Sequence, residues 1–92
     1  MNIESVVKNE FGDSAEPFCA VPIMWRENVY RVFAPFNDKI GVLHVKSDDG
    51  SIDILSKMVF YKHSNDNAKA MKEIIDEMGW NSDIRTYILL SK

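Results

Sequence analysis

Ninety-two residues, 46% of them apolar and 27% charged, make one domain with a modest core and are too apolar for a disordered chain. Fourteen acidic against 11 basic residues leave a formal charge of -3, which disfavours nucleic acid as a partner because phosphate neutralisation needs an excess of Lys and Arg. No apolar run reaches the roughly 18 residues of a membrane span, Met-Asn-Ile-Glu is no secretory leader, and the lone Cys19 forms no internal disulfide, so a cytoplasmic protein is expected.

In chain order, Asn2 is placed to cap a short helix in which Ile3, Val6, Val7 and Phe11 share one face. Glu4 precedes Lys8 in the favourable order for a helical ion pair, and Gly12 ends the helix. A polar loop over 13–16 leads through Pro17 into an apolar run over 18–25. Pro22 makes that strand an edge or an interrupted one. Glu27-Asn28 reads as a hairpin tip before a strand over 29–34, and 35–38 as a connector. Strands over 40–46 and 51–55 are joined by the turn Asp48-Asp49-Gly50, with 58–61 continuing the second or forming another.

The second helix starts at a Ser64 cap with Asp66 in its first turn. Ala68, Met71, Ile74, Ile75 and Met78 form its buried stripe. Gly79 fits the left-handed position after the helix, with Trp80 folding back on Ile75. A last strand over 84–90 joins the middle or an edge of the sheet. These elements predict an α+β fold, a single compact domain over 1–92. It has an antiparallel-rich sheet of four to five strands with two helices, in the order α-β-β-β-β-α-β, both helices on one face.

Catalytic signatures are missing. Cys19 with His44 or His63 has no flanking motif that makes a nucleophile and base, and a cysteine in an apolar strand reads as a small buried hydrophobe. The two histidines lack metal-ligand spacing, and His44 is expected on a polar strand face. Around Asp48 and Asp49 the offsets of a calcium loop fail, which favours a hairpin turn. Gly12, Gly41, Gly50 and Gly79 are isolated and form no phosphate-cradling loop, so no cofactor is implied. Most aromatics read as core; Trp25, Tyr30 and Phe36 flank turns and are candidate interface residues.

The carboxylates remain. Glu4, Glu10, Asp13 and Glu16 crowd the N-terminal segment. Asp48, Asp49 and Asp53 crowd one hairpin, and Glu73, Asp76, Glu77 and Asp83 crowd a helix end where acids oppose the macrodipole. On a rigid scaffold such carboxylates present to a basic cleft the point charges that DNA presents as phosphates. The candidate partner-binding residues are therefore Glu73, Asp76, Glu77 and Asp83, with Asp48, Asp49 and Asp53 as a second patch. The expected function is non-enzymatic inhibition of a basic DNA-binding protein. An interaction or assembly module gripping through exposed aromatics and a sheet edge ranks second, and a small enzyme third.

In size, α+β plan, acidic clusters and bias toward Lys, Asn and Ile, the whole chain resembles the anti-restriction nuclease (Arn) family of large tailed phages. Those proteins are DNA-mimic inhibitors of the modified-cytosine-dependent endonuclease McrBC. The resemblance implies a homodimer in the host cytoplasm whose carboxylates block a restriction endonuclease. It requires Lys46, Lys57, Lys62 and Arg85 to lie off the acidic face.

Overall fold

The computed structural model describes residues 2–83 and 87–90. Among them, two helices and five strands follow the order α-β-β-β-β-α-β of an α+β fold. Helix α1 (Ile3–Phe11) begins where the Asn2 side chain accepts the Ser5 N–H at 2.9 Å, satisfying a donor that the first turn leaves free. Val6 and Val7 are buried, with Ile3 and Phe11 packed beside them. Gly12 ends the helix at a φ of 101°. The Glu4–Lys8 pair is not made; Lys8 Nζ instead donates to the carbonyls of Asp13 and Ala15, each at 3.0 Å, and ties the following loop to the helix.

The sheet is antiparallel throughout, in the order β4-β3-β2-β1-β5. Strand β1 (Cys19–Pro22) is shorter than expected, because the chain turns after Pro22 and passes Trp25 and Asn28 at positive φ before β2 (Val29–Phe36). Strand β5 (Ile88–Leu89), among the described residues, pairs with Cys19 and Ala20. Toward β2, the Ile23 N–H bonds Val29 O at 2.9 Å, so Pro22 falls at a position that donates nothing to that strand and its missing N–H breaks no bond there. The rest of the expected terminal strand, 84–86, lies outside the described residues. Pro35 belongs to β2 rather than to a connector. Its carbonyl accepts the Glu16 N–H on the β1 side, so the ring faces away from β3 and costs that ladder nothing.

Strands β3 (Lys39–Asp48) and β4 (Ser51–Tyr61) form the long hairpin. Asp49 and Gly50 both take positive φ, 48° and 81°, the pairing a two-residue type I′ turn requires. Strand β4 absorbs the segment 58–61 and carries a bulge, since Ser56 faces His44 while Ile54 faces Val45 and leaves Leu55 unmatched.

Helix α2 (Asn67–Met78) is capped by Asp66 rather than Ser64. Asp66 Oδ1 accepts from Ala68 and Lys69, and the Ser64 hydroxyl accepts the Asp66 N–H one step earlier. A carboxylate at that position also faces the positive end of the helix, which explains why it displaces serine. The helix closes as expected. Trp80 N–H bonds Ile75 O at 2.9 Å and Gly79 N–H bonds Asp76 O at 3.3 Å, a Schellman ending.

The expectation that both helices share one face is overturned. One core cluster joins Val6 and Val7 of α1 to Ala20, Val32, Ala34, Leu43 and Val45. Another joins Ala70, Ile74 and Ile75 of α2 to Cys19, Val21, Phe33, Ile40 and Val42. Alternate residues of the same strands serve the two clusters, so the sheet is sandwiched between the helices. Gly41 is required on the α1 side, where an added Cβ would overlap the Phe11 ring.

Candidate interaction surface

The expected acidic residues do not converge. Asp83 is taken out of the set altogether. Its carboxylate accepts Arg31 Nη1 at 2.7 Å and the Met24 N–H at 2.9 Å, with both members of the ion pair largely buried. Asp76 lies 3.3 Å from Lys72, and Asp48 lies 3.6 Å from Lys46 while accepting from Asn28 Nδ2. Asp53 stands directly across the ladder from Lys46. Among the described residues, Asp49, Glu73 and Glu77 make no ion pair. Asp49 caps the hairpin, whereas Glu73 lies beside Phe60, about nine residues or ~30 Å along β4. The Debye length at physiological salt is only about 8 Å, so the two patches act separately. Between them β4 exposes Ile54, Leu55 and Val59 and carries Lys57, so no unbroken electronegative surface forms along this edge.

Arg31 is the residue that sequence reasoning missed. It sits in the middle of apolar β2, almost completely buried, and a charge there must be paired. Besides Asp83, it donates through Nε to His44 Nε2 at 2.9 Å and lies 4.1 Å from the Trp80 ring centre. His44 Nε2 is thus an acceptor, and Nδ1 carries the proton toward Ser56 Oγ at 2.6 Å. Burial, reinforced by the positive charges of Arg31 and Arg26, holds the His44 pKa below its ordinary value. Burial alone would raise the Asp83 carboxyl. The Arg31 hydrogen bond, the Met24 N–H and the Arg31 charge outweigh it and hold the group below the usual carboxylate range. This network fastens the 3-10 turn (Asn81–Asp83) and Trp80 onto the sheet.

Among the described residues, the longer uncovered edge of the sheet is β4. It is one of the sheet's two outer strands and runs eleven residues, against two in β5, with Ile54, Leu55, Val59 and Tyr61 exposed, Tyr61 by 65%. Lys62 N–H bonds Asp38 O at 2.9 Å, which sets the alternation along the hairpin. Even-numbered residues over 56–62 bond β3, and Lys57, Val59 and Tyr61 turn their N–H and C=O groups outward. A long, open, apolar edge is what proteins otherwise shorten, charge or cover. A groove of about 270 Å³ runs between this stretch and α2, with Phe60, Ala70 and Ile74 inside it and Glu73 and Glu77 on its rim.

Of the aromatics flagged at turns, Trp25 is 92% exposed at a φ of 65°, whereas Tyr30 and Phe36 pack against the α1-side core. Phe36 stacks on Phe11 at 5.3 Å between ring centres. Cys19 is fully enclosed and burial pushes its thiol pKa up, the reverse of what activates a nucleophile. Among the described residues no helix is long and apolar enough to cross a membrane. Compared with known family models, with curated proteins and with solved structures, the chain matches none.

Proposed function

We propose that this chain is a non-enzymatic binding module that engages a protein partner by strand addition to β4. The observation that carries this reading is the outward-facing backbone of Lys57, Val59 and Tyr61 on an edge that also exposes apolar side chains. Strand addition satisfies those backbone groups while burying Ile54, Val59 and Tyr61. Trp25 offers a further exposed aromatic contact at the opposite end of the hairpin, near Asn28 and Asp48. A cytoplasmic setting suits the free, buried Cys19.

The second reading is the blockade of a basic DNA-binding protein, such as a restriction endonuclease, by carboxylates standing in for phosphates. Glu73, Glu77 and Asp49, unpaired among the described residues, favour it, together with the net charge of -3. The ion pairs at Asp48, Asp76 and Asp83 and the apolar strand between the patches rank it below edge pairing. The two separate in one affinity capture from bacterial lysate. A double variant, Ile54→Lys with Val59→Lys, should lose the partner that the unaltered chain retains. A charge-neutral variant of Asp49, Asp53, Glu73 and Glu77 should still capture it, at an affinity reduced by no more than about tenfold. The opposite pattern, with capture abolished by salt and by neutralisation but untouched by the edge lysines, selects the mimic.

A further inference from the structure

The geometry points to an extended basic peptide, with lysine or arginine at alternate positions and apolar residues between them, as the occupant of the β4–α2 groove. This rests on the strand-addition reading and names the chemistry of the partner. A strand laid against Lys57, Val59 and Tyr61 sends alternate side chains to opposite faces of the sheet. Those on the α2 side enter the groove over Phe60, Ala70 and Ile74 and meet Glu73 and Glu77 on its rim. Residues two apart in a strand lie about 6.7 Å from one another, close to the roughly 6 Å between carboxylate-bearing positions one helical turn apart. Two basic side chains at alternate positions therefore reach Glu73 and Glu77 together.

The intervening residues face the other side, where Ile54, Val59 and Tyr61 are exposed and favour apolar contacts. Lys69, one helical turn before Glu73, forms no ion pair with it, and the other neighbouring positive charges are engaged elsewhere. Lys72 is held by Asp76, Lys57 by Glu10 on the α1 side, and Lys62 donates to Asn67. His63 lies at the groove's end and leaves the two glutamates as its acidic lining. An acidic peptide meets like charge at both positions and is rejected by the same geometry.

The test titrates the full chain with short synthetic peptides of alternating lysine and valine or alternating glutamate and valine. Fluorescence anisotropy reads affinity, and amide exchange reads protection along β4. The lysine peptide should bind, protect the amides of Lys57, Val59 and Tyr61, and lose roughly three- to tenfold in affinity with Glu73→Gln and Glu77→Gln together. Charge reversal, Glu73→Lys with Glu77→Lys, should transfer the preference to the glutamate peptide and rules out a folding artefact. Equal binding of both peptides, or indifference to the glutamate substitutions, overturns the basic partner while leaving strand addition intact. Protection of β4 by self-association at high protein concentration, with neither peptide bound, assigns the edge to a second copy and overturns the proposal. Failure of β4 to become protected by peptide, by self-association or by a captured partner refutes the strand-addition reading itself.

Discussion

Replacing Asp83 by alanine separates a buried structural carboxylate from a surface charge. The substitution removes the acceptor of the 2.7 Å bond from Arg31 and of the 2.9 Å bond from the Met24 N–H, and it leaves a guanidinium in a site that is 8% exposed. Breaking a buried pair from one side costs about 3–5 kcal/mol, because the remaining charge is uncompensated. Arg31 keeps His44 Nε2 and the Trp80 face, which places the expected loss at the lower end, about 3 kcal/mol. A domain of this size has roughly 5–14 kcal/mol of total stability, so the variant folds but with a much reduced margin. With a urea m-value near ~1.5 kcal/mol/M the midpoint should fall by roughly 2 M.

The carboxyl titrates lower in the folded chain than in the unfolded one, so its contribution is complete above about pH 3.9 and disappears as pH falls through the folded value. The variant should accordingly show a shallower acid loss than the unaltered chain. A midpoint shift under about 0.3 M, with unchanged acid sensitivity, would place Asp83 in solvent and refute the network.

Gly41→Ala forces the Phe11 ring off the sheet and should cost about 1–3 kcal/mol in chemical denaturation; a neutral result contradicts the close approach of α1. The depressed His44 pKa makes the neutral ring the folded form. Its stabilisation is therefore full above about pH 6.5 and is lost as pH falls from there toward the folded value, a slope that His44→Gln should flatten in pH-dependent melts. Asp66→Ala should destabilise by about 1 kcal/mol and Ser64→Ala by less, since the carboxylate accepts the first-turn amides; equal losses would return the cap to Ser64.

The parts of the fold written into short stretches were readable from the residues alone. Asn2 and Gly12 bracket α1, Asp49-Gly50 supplies the two positive φ values of the hairpin, and Gly79-Trp80 closes α2 as its residues demand. Ser64 and Asp66 are both competent caps two residues apart, and the carboxylate's attraction to the positive helix end, which residue preference alone does not weigh, decides for Asp66. The helices' opposite faces had a signal that alternation arguments overlook. Val32-Phe33-Ala34 and Ile40 to Leu43 contain no polar side chain, the mark of strands buried on both sides.

The acidic set was harder to judge, because a charge is neutralised by whatever lies near it in space. Arg31 and Asp83 are 52 residues apart and meet only after α2 has crossed the sheet. One clue was available: an arginine embedded in an apolar strand must find an anion, and Asp83 follows the helix that covers that strand. Exposure of β4 was illegible for a different reason. Ile52, Ile54, Val59 and Phe60 look like any hairpin strand until the strand order leaves β4 without an outer neighbour.

Amide exchange along β4, measured in the complex with whatever protein the chain captures, bears most directly on how it binds. Slowed exchange at Lys57, Val59 and Tyr61, with the Asp48–Asp49 turn unchanged, is the result edge pairing predicts. Unaltered exchange along β4, alongside protection confined to Asp49, Glu73 and Glu77, would contradict it and hand the interaction to the carboxylates.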